Sequence, residues 1–188
     1  MTSQIKVNDS IPASQTLMEY IISPDSEQAC ALKPTAVNVS SQCRNKTIVV
    51  VAVPGAFTPT CSERHIPPYI ARVDELTALN VDEVWVVSVN DPFVMAYWGQ
   101  NLRVDVSSSV KFLSDGNGTF VQSLGLEKDA TAAYMGSIRS KRWSMVLVDG
   151  VVKRLNVEEA GKFEVSDIDT TIRQLDEMKE IEKAESTA

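Results

Sequence analysis

The sequence is short of the residues that several kinds of site would need. Histidine occurs once and cysteine three times in 188 residues. Cys30, Cys43, Cys61 and His65 together make four soft ligands, but none of them forms the C-x2-C pairing of a zinc site, so no metal is expected. Three cysteines are too few, and odd in number, for a secreted disulfide framework. No apolar run reaches the roughly 18 residues of a membrane span. The opening MTSQIKVNDS lacks the apolar core of a secretory leader. The ending Ser186-Thr187-Ala188 is neither a peroxisomal nor an ER-retention signal. The reading is therefore cytoplasmic, with no membrane contact. Basic residues are scarce as well: 18 Lys and Arg against 25 Asp and Glu give a net charge of −7. That excludes a general nucleic-acid or anionic-membrane binder, which needs excess cations. Asp115-Gly-Asn-Gly118 lacks the Lys-Ser/Thr ending of a phosphate loop. No Ser-His-Asp arrangement stands out.

What is present is ordinary globular material, 44% hydrophobic and 23% charged, enough for one domain over residues 1–188. Residues 1–46 carry Pro12, Pro24 and Pro34 and read as short extended pieces and loops. From about Lys183 the charged tail reads as frayed. Thr47-Ile-Val-Val-Val-Ala-Val53 and Val84-Trp-Val-Val-Ser-Val89 are β-branched runs of the kind buried on both faces of a sheet. Between them Ile66, Tyr69, Ile70, Val73, Leu76 and Leu79 fall at helical spacing. Asp91-Pro92 opens a second helix. Val110–Leu113 reads as a strand and Phe120–Leu126 as a short helix. Asp149-Gly150 between two strand-like runs predicts a tight hairpin, because both central positions need positive φ. Ser166-x-x-Asp169 reads as the cap of a last helix with Ile168, Ile172, Leu175, Met178 and Ile181 on one stripe. The order β-α-β-α-β-α-β-β-α from Thr47 predicts an α/β fold with a central mixed sheet flanked by helices. A thioredoxin-like sheet fits; the hairpin counts against a flavodoxin-like one.

Chemistry concentrates in Pro54-Gly-Ala-Phe-Thr58-Pro-Thr-Cys61. A buried strand ends, a Pro/Gly turn follows, and a cysteine stands where a helix begins. Unpaired N–H groups and the positive end of the helix dipole there favour a thiolate over a thiol. Thr58 can direct its hydroxyl at the sulfur or at a bound oxygen, and Pro54 and Pro59 shape the loop. A small buried filler is the competing role, since free cysteine is among the most buried residue types.

PGAFTPTC resembles the peroxidatic motif of peroxiredoxins, Pro-x-x-x-Thr-x-x-Cys. The wider runs PGAFTPTCSERHIPPYI, SVNDPFVMAYWG and RSKRWSMVLVDGVVKRLNVEE are similar to the peroxiredoxin-5 (type II) subfamily, over about Thr47 to Leu175. The resemblance implies a thioredoxin-like fold and a thiol peroxidase acting on hydrogen peroxide and alkyl hydroperoxides without metal or organic cofactor. It makes Cys61 the peroxidatic cysteine, Thr58 its hydroxyl partner, Pro54 the shielding proline and Arg142 the active-site arginine. Phe57, Thr58 and Arg142 would contact substrate. A fixed guanidinium suits the step, because it stabilises both the thiolate and the departing oxyanion. Arg139 and Arg64 compete for that place. Phe57, Phe93, Trp98 and Trp143 could line an apolar mouth, or be core. His65 reads as a structural hydrogen-bonder for the turn after Cys61.

The resemblance leaves the second thiol open. Animal-type members carry a resolving cysteine where this chain has Gly161-Lys-Phe-Glu-Val-Ser166, and plant-type members carry one where it has Trp85-Val86-Val87. Cys30 resembles the upstream cysteine of the fungal alkyl hydroperoxide reductase branch, which resolves across a homodimer, with thioredoxin as reductant. Cys43 is a second candidate. A one-Cys peroxidase using glutathione or glutaredoxin, and a redox sensor or relay passing oxidation to a partner protein, stand as alternatives.

Overall fold

The structure, a computed structural model, describes residues 2–22, 33–105 and 108–186. Cys30 lies outside them. The elements in chain order begin with β1 (Thr16–Glu19), β2 (Thr35–Asn38), α1 (Val39–Gln42) and β3 (Thr47–Val53). A wide helical turn, Thr60–His65, leads into α2 (Ile66–Ala71) and α3 (Val73–Ala78). Then come β4 (Glu83–Ser88), α4 (Pro92–Asn101), β5 (Val110–Ser114) and α5 (Thr119–Ser123). The chain closes with β6 (Glu127–Lys128), β7 (Arg139–Ser140), β8 (Trp143–Val148), β9 (Val151–Val157) and α6 (Ile168–Ser186).

Seven strands form one mixed sheet in the order β2-β1-β5-β4-β3-β8-β9. β5, β4 and β3 run parallel; β8 and β9 add antiparallel strands, as does the β1–β2 hairpin. The expected extended pieces within residues 1–46 are that hairpin. β3 sits between β4 and β8 and is covered on both faces, which is why its run is apolar throughout. Its even positions Ile48, Val50 and Ala52 join one core with Trp85, Phe120 and Trp143. Its odd positions Val49, Val51 and Val53 join the other with Cys61, Tyr69, Trp98 and Leu175.

Local chemistry explains most boundaries. Asp91 caps α4 by accepting from the Phe93 and Val94 N–H groups, at 3.0 and 2.9 Å. Asp149 and Gly150 both take positive φ, 49° and 75°, as the β8–β9 hairpin requires. Two expectations are corrected. The cap of α6 is Asp167, whose Oδ1 accepts from the Thr170 N–H at 2.9 Å; the Ser166 hydroxyl donates instead to Glu158. The tail also does not fray at Lys183: α6 continues to Ser186, consistent with good helix formers Glu, Lys and Ala. Among the described residues no helix is long and apolar enough to cross a membrane.

Candidate active site

The site lies beyond the carboxyl ends of β3 and β4, the end of an open α/β sheet where ligands generally bind. β3 stops at Val53 because Pro54 cannot donate to the ladder. The loop that follows is braced from below. Asn90 Oδ1 accepts from the Ala56 N–H at 2.9 Å, from the Ser88 hydroxyl at 2.8 Å and from Arg139 Nη1 at 3.2 Å. Arg139 also donates to the carbonyls of Met135 and Val89, at 2.6 and 2.8 Å. A Cβ on Gly55 would meet the Met135 methyl at 2.7 Å, so glycine is what lets that side chain close on the loop. Phe57 takes φ +59°, uncommon for an aromatic residue, and stands 52% exposed with its ring 6.4 Å from Trp98. Trp98 is buried and its Nε1–H donates to Ser62 Oγ at 3.0 Å; Trp143 is buried and donates to Ser140. Those two aromatics belong to the core, whereas Phe57 and Phe93 are exposed.

Cys61 is fully buried and unbridged, at the start of the Thr60–His65 turn. This turn is π-helical: the Ile66 N–H reaches the Cys61 carbonyl, one residue further back than in an α-helix. Pro67 and Pro68 explain it. Neither has an N–H for the carbonyl four residues back, and each ring would collide with that carbonyl in a regular helix. The Thr58 hydroxyl donates to the Gly55 carbonyl at 3.0 Å. Its one proton is therefore committed, and its oxygen is left as an acceptor for an S–H or a peroxide O–H.

Strand register brings Arg142 to the same place. Trp143 pairs with Ala52, so Arg142 falls level with Val53, beside the start of the loop. Its Nη1 donates to His65 Nδ1 at 3.0 Å. His65 Nε2 lies 2.9 Å from the Ser166 carbonyl, which can only accept. The tautomer follows: Nε2 carries the proton and Nδ1 offers its lone pair to a guanidinium that can only donate. Burial, and less so the nearby Arg142 charge, push His65 down to about 4, although the Ser166 hydrogen bond opposes this, so the ring is neutral at neutral pH. Ser166 is held by Glu158, whose Oε1 accepts from the N–H groups of Glu164, Val165 and Ser166, each at 2.8 Å, and from the Ser166 hydroxyl at 2.9 Å. Burial opposes the Glu158 charge, but these donors outweigh it and keep the carboxyl below its ordinary range. Phe163 completes the arrangement, with the Arg142 and Arg64 guanidinium carbons 5.7 and 5.6 Å from its ring centre.

The structure thus gathers Pro54, Thr58, Cys61 and Arg142 at one end of β3 and β8. Arg64, in contrast, is an exposed residue of the turn, and Arg139 is a brace for the loop. Cys43 is far removed: it precedes the start of β3, while Cys61 follows its end. Seven residues of strand span roughly 20 Å, well beyond the roughly 7 Å Cα separation of a disulfide. Its thiol is fully buried and desolvation pushes it up to about 12. The stretches where relatives carry resolving cysteines are occupied otherwise: Trp85–Val87 is buried strand, and 161–166 wraps Glu158. The roles of Asn90, Glu158 and Phe163 had no signal in the sequence.

Residues 6–172 match the redoxin family. Peroxiredoxin-2E, chloroplastic, of Arabidopsis thaliana is 38% identical over 176 residues, covering 93% of this chain and 71% of its own. Peroxiredoxin-2B of the same plant is 42% identical over 138 residues, covering 73% and 83%. The structure of reduced Prx3 from Vibrio vulnificus in complex with H2O2 superposes with a TM-score of 0.79 at 38% identity, over 92% of this chain and 99% of that one. The chain belongs to the redoxin family, as a peroxiredoxin with the thioredoxin-like fold. It is a thiol-dependent peroxidase.

Proposed function

We propose that Cys61 is the peroxidatic cysteine and that the chain reduces hydrogen peroxide and alkyl hydroperoxides to water and alcohol. The observation carrying this assignment is the convergence of Arg142, Thr58 and Pro54 on the loop that presents Cys61. The thiolate sulfur attacks the terminal peroxide oxygen, and the S–O bond forms as the O–O bond breaks. Cys61 becomes a sulfenic acid, and the departing alkoxide takes up a proton. Thr58 accepts a hydrogen bond from the peroxide O–H, while Arg142 stabilises first the thiolate and then the alkoxide. His65 holds Arg142 in place. Pro54 keeps water from the sulfur.

A Cys30 thiolate then attacks the sulfenic sulfur, the S–O bond breaks and the hydroxide leaves as water on taking up a proton, forming a Cys30–Cys61 disulfide that thioredoxin reduces by exchange. Burial of the Cys43 thiol, and its distance from Cys61 within one chain, speak against it and favour Cys30, the other thiol of the sequence. Resolution falls between the two subunits of a homodimer. The exposed aromatic side chains of Phe57 on the loop before Cys61 and of Phe93 and Tyr97 on α4 support such an interface. A cytoplasmic location is part of the same proposal; subcellular fractionation tests it.

The test is peroxide consumption coupled to NADPH oxidation through thioredoxin and its reductase. Wild type turns over, Cys61→Ser does not, and Arg142→Lys falls by about a hundredfold, because an ammonium cannot keep the fork geometry. Cys30→Ser loses thioredoxin-driven turnover and keeps its first oxidation. Full turnover by Cys61→Ser defeats the assignment. Unimpaired thioredoxin-driven turnover by Cys30→Ser moves the second step to an external thiol such as glutathione.

A further inference from the structure

Beside the peroxidatic loop is a cleft of about 540 Å³, the size of a small-molecule site. It shares Pro54 and Arg142 with the site described above, and the segment 158–164 forms its far wall. Its charge is unlike that of the rest of this acidic chain. Arg64, Lys128, Lys141 and Arg142 all line it, and none of the four takes part in an ion pair among the described residues.

The carboxylates of the far wall do not answer these cations. Glu159 and Glu164 flank Lys162, at 2.9 and 3.6 Å. Glu158 has one oxygen taken by three backbone N–H groups and a hydroxyl. Lys141 Nζ has only a long contact, 3.5 Å, to the Gly125 carbonyl, and Lys128 is exposed on β6. Four cations without a carboxylate partner among the described residues, in a concave site that Pro54 and Phe163 also line, constitute a receptor for a carboxylate on an apolar body.

We propose that this cleft is an anion subsite of the peroxidase: it docks the carboxylate of a second-substrate class whose reactive end reaches Cys61. The proposal rests on Cys61 being the peroxidatic cysteine. Two reactants carry the required chemistry. One is a hydroperoxide with a carboxylate at its far end. The other is an anionic thiol that reduces the Cys61 sulfenic acid, releasing water as it forms a mixed disulfide.

The experiment uses acid and ester pairs, in which esterification removes the carboxylate charge. Linoleic acid hydroperoxide is compared with its methyl ester on wild type. Glutathione is compared with its diethyl ester in reducing the sulfenic acid of Cys30→Ser. Each pair is repeated with Lys128→Gln/Lys141→Gln, and at low and high salt. The subsite predicts that in at least one pair the acid outruns the ester in kcat/KM at low salt. That ratio falls about tenfold in the double variant, as two exposed charge contacts are lost. It also collapses in wild type at high salt. The pair that responds names the source, substrate or reductant. If neither pair separates acid from ester, or if the ratio survives the double substitution, the subsite is wrong while the peroxidase reading stands. If wild type consumes neither hydrogen peroxide nor the ester, both fall.

Discussion

At the scale of single residues, the pairing of His65 with Arg142 aims the guanidinium. Arginine has no acceptor, and its forked donors must be aimed to be useful. His65 aims it with a lone pair whose direction is fixed by the Nε2–H bond to Ser166. His65→Phe keeps an aromatic ring, a somewhat larger one, and removes the acceptor, leaving a guanidinium N–H unanswered. The first oxidation, followed by stopped-flow fluorescence, is expected to slow by about 10- to 100-fold, the worth of one hydrogen bond to a charged group. His65→Gln, whose amide oxygen can accept, restores part of the rate; equal damage from both variants would mean a packing role only. The same residue sets a pH dependence. Its folded value of about 4 lies below the ordinary 6.5, so between these values the unfolded chain binds a proton that the folded chain refuses. Stability conferred by the neutral ring is complete above pH 6.5 and is lost as pH falls toward 4. The amount is on the order of 3 kcal/mol. Urea unfolding of wild type against His65→Gln over that range measures it, and parallel pH curves would contradict the buried neutral ring.

At the scale of elements, β3 acts as a spacer and the Thr60–His65 turn as the weak point. β3 holds Cys43 and Cys61 at opposite ends, so Cys43→Ser should leave peroxide consumption unchanged. It should still lower stability by about 1–3 kcal/mol, because a hydroxyl replaces a fully buried thiol. The turn carries a fully buried sulfur under π-type bonding, with two prolines just after it. Hydrogen exchange is expected to reach residues 60–66 well before β3, since the proposed Cys30–Cys61 disulfide needs this turn to open. Protection equal to that of β3 would argue against a resolving step through local unwinding. The elements differ in how legible they were. Thr47–Val53 and Asp149-Gly150 could be read because burial on both faces and positive φ each leave a local pattern. The π-helical turn could not, since apolar spacing runs on smoothly through Ile66 and Tyr69 whatever the hydrogen bonding. β6 and β7 have two residues each, too few for a period. Ser166 looked like the cap because its type suits one; a partner eight residues away, Glu158, takes its hydroxyl instead.

At the scale of the whole molecule, the mixed sheet brings distant segments to one end. Arg142 and His65 are 77 positions apart and meet only because β8 lies antiparallel beside β3. Pro54, Thr58 and Cys61 were legible as a motif, and Arg142 only through its resemblance to a family segment. The braces were not legible, because Asn90, Arg139, Glu158 and Phe163 act through backbone groups and ring faces that leave no spacing in the sequence. The Cys61 sulfur is proposed as the atom that peroxide oxidises. Mass spectrometry after one equivalent of hydrogen peroxide, with a sulfenic-acid trap, tests it in wild type and in Cys30→Ser. The expected result is a Cys30–Cys61 disulfide in wild type and a trapped sulfenic acid at Cys61 in Cys30→Ser. Cys61 recovered as a free thiol in both, with the peroxide unconsumed, would contradict it.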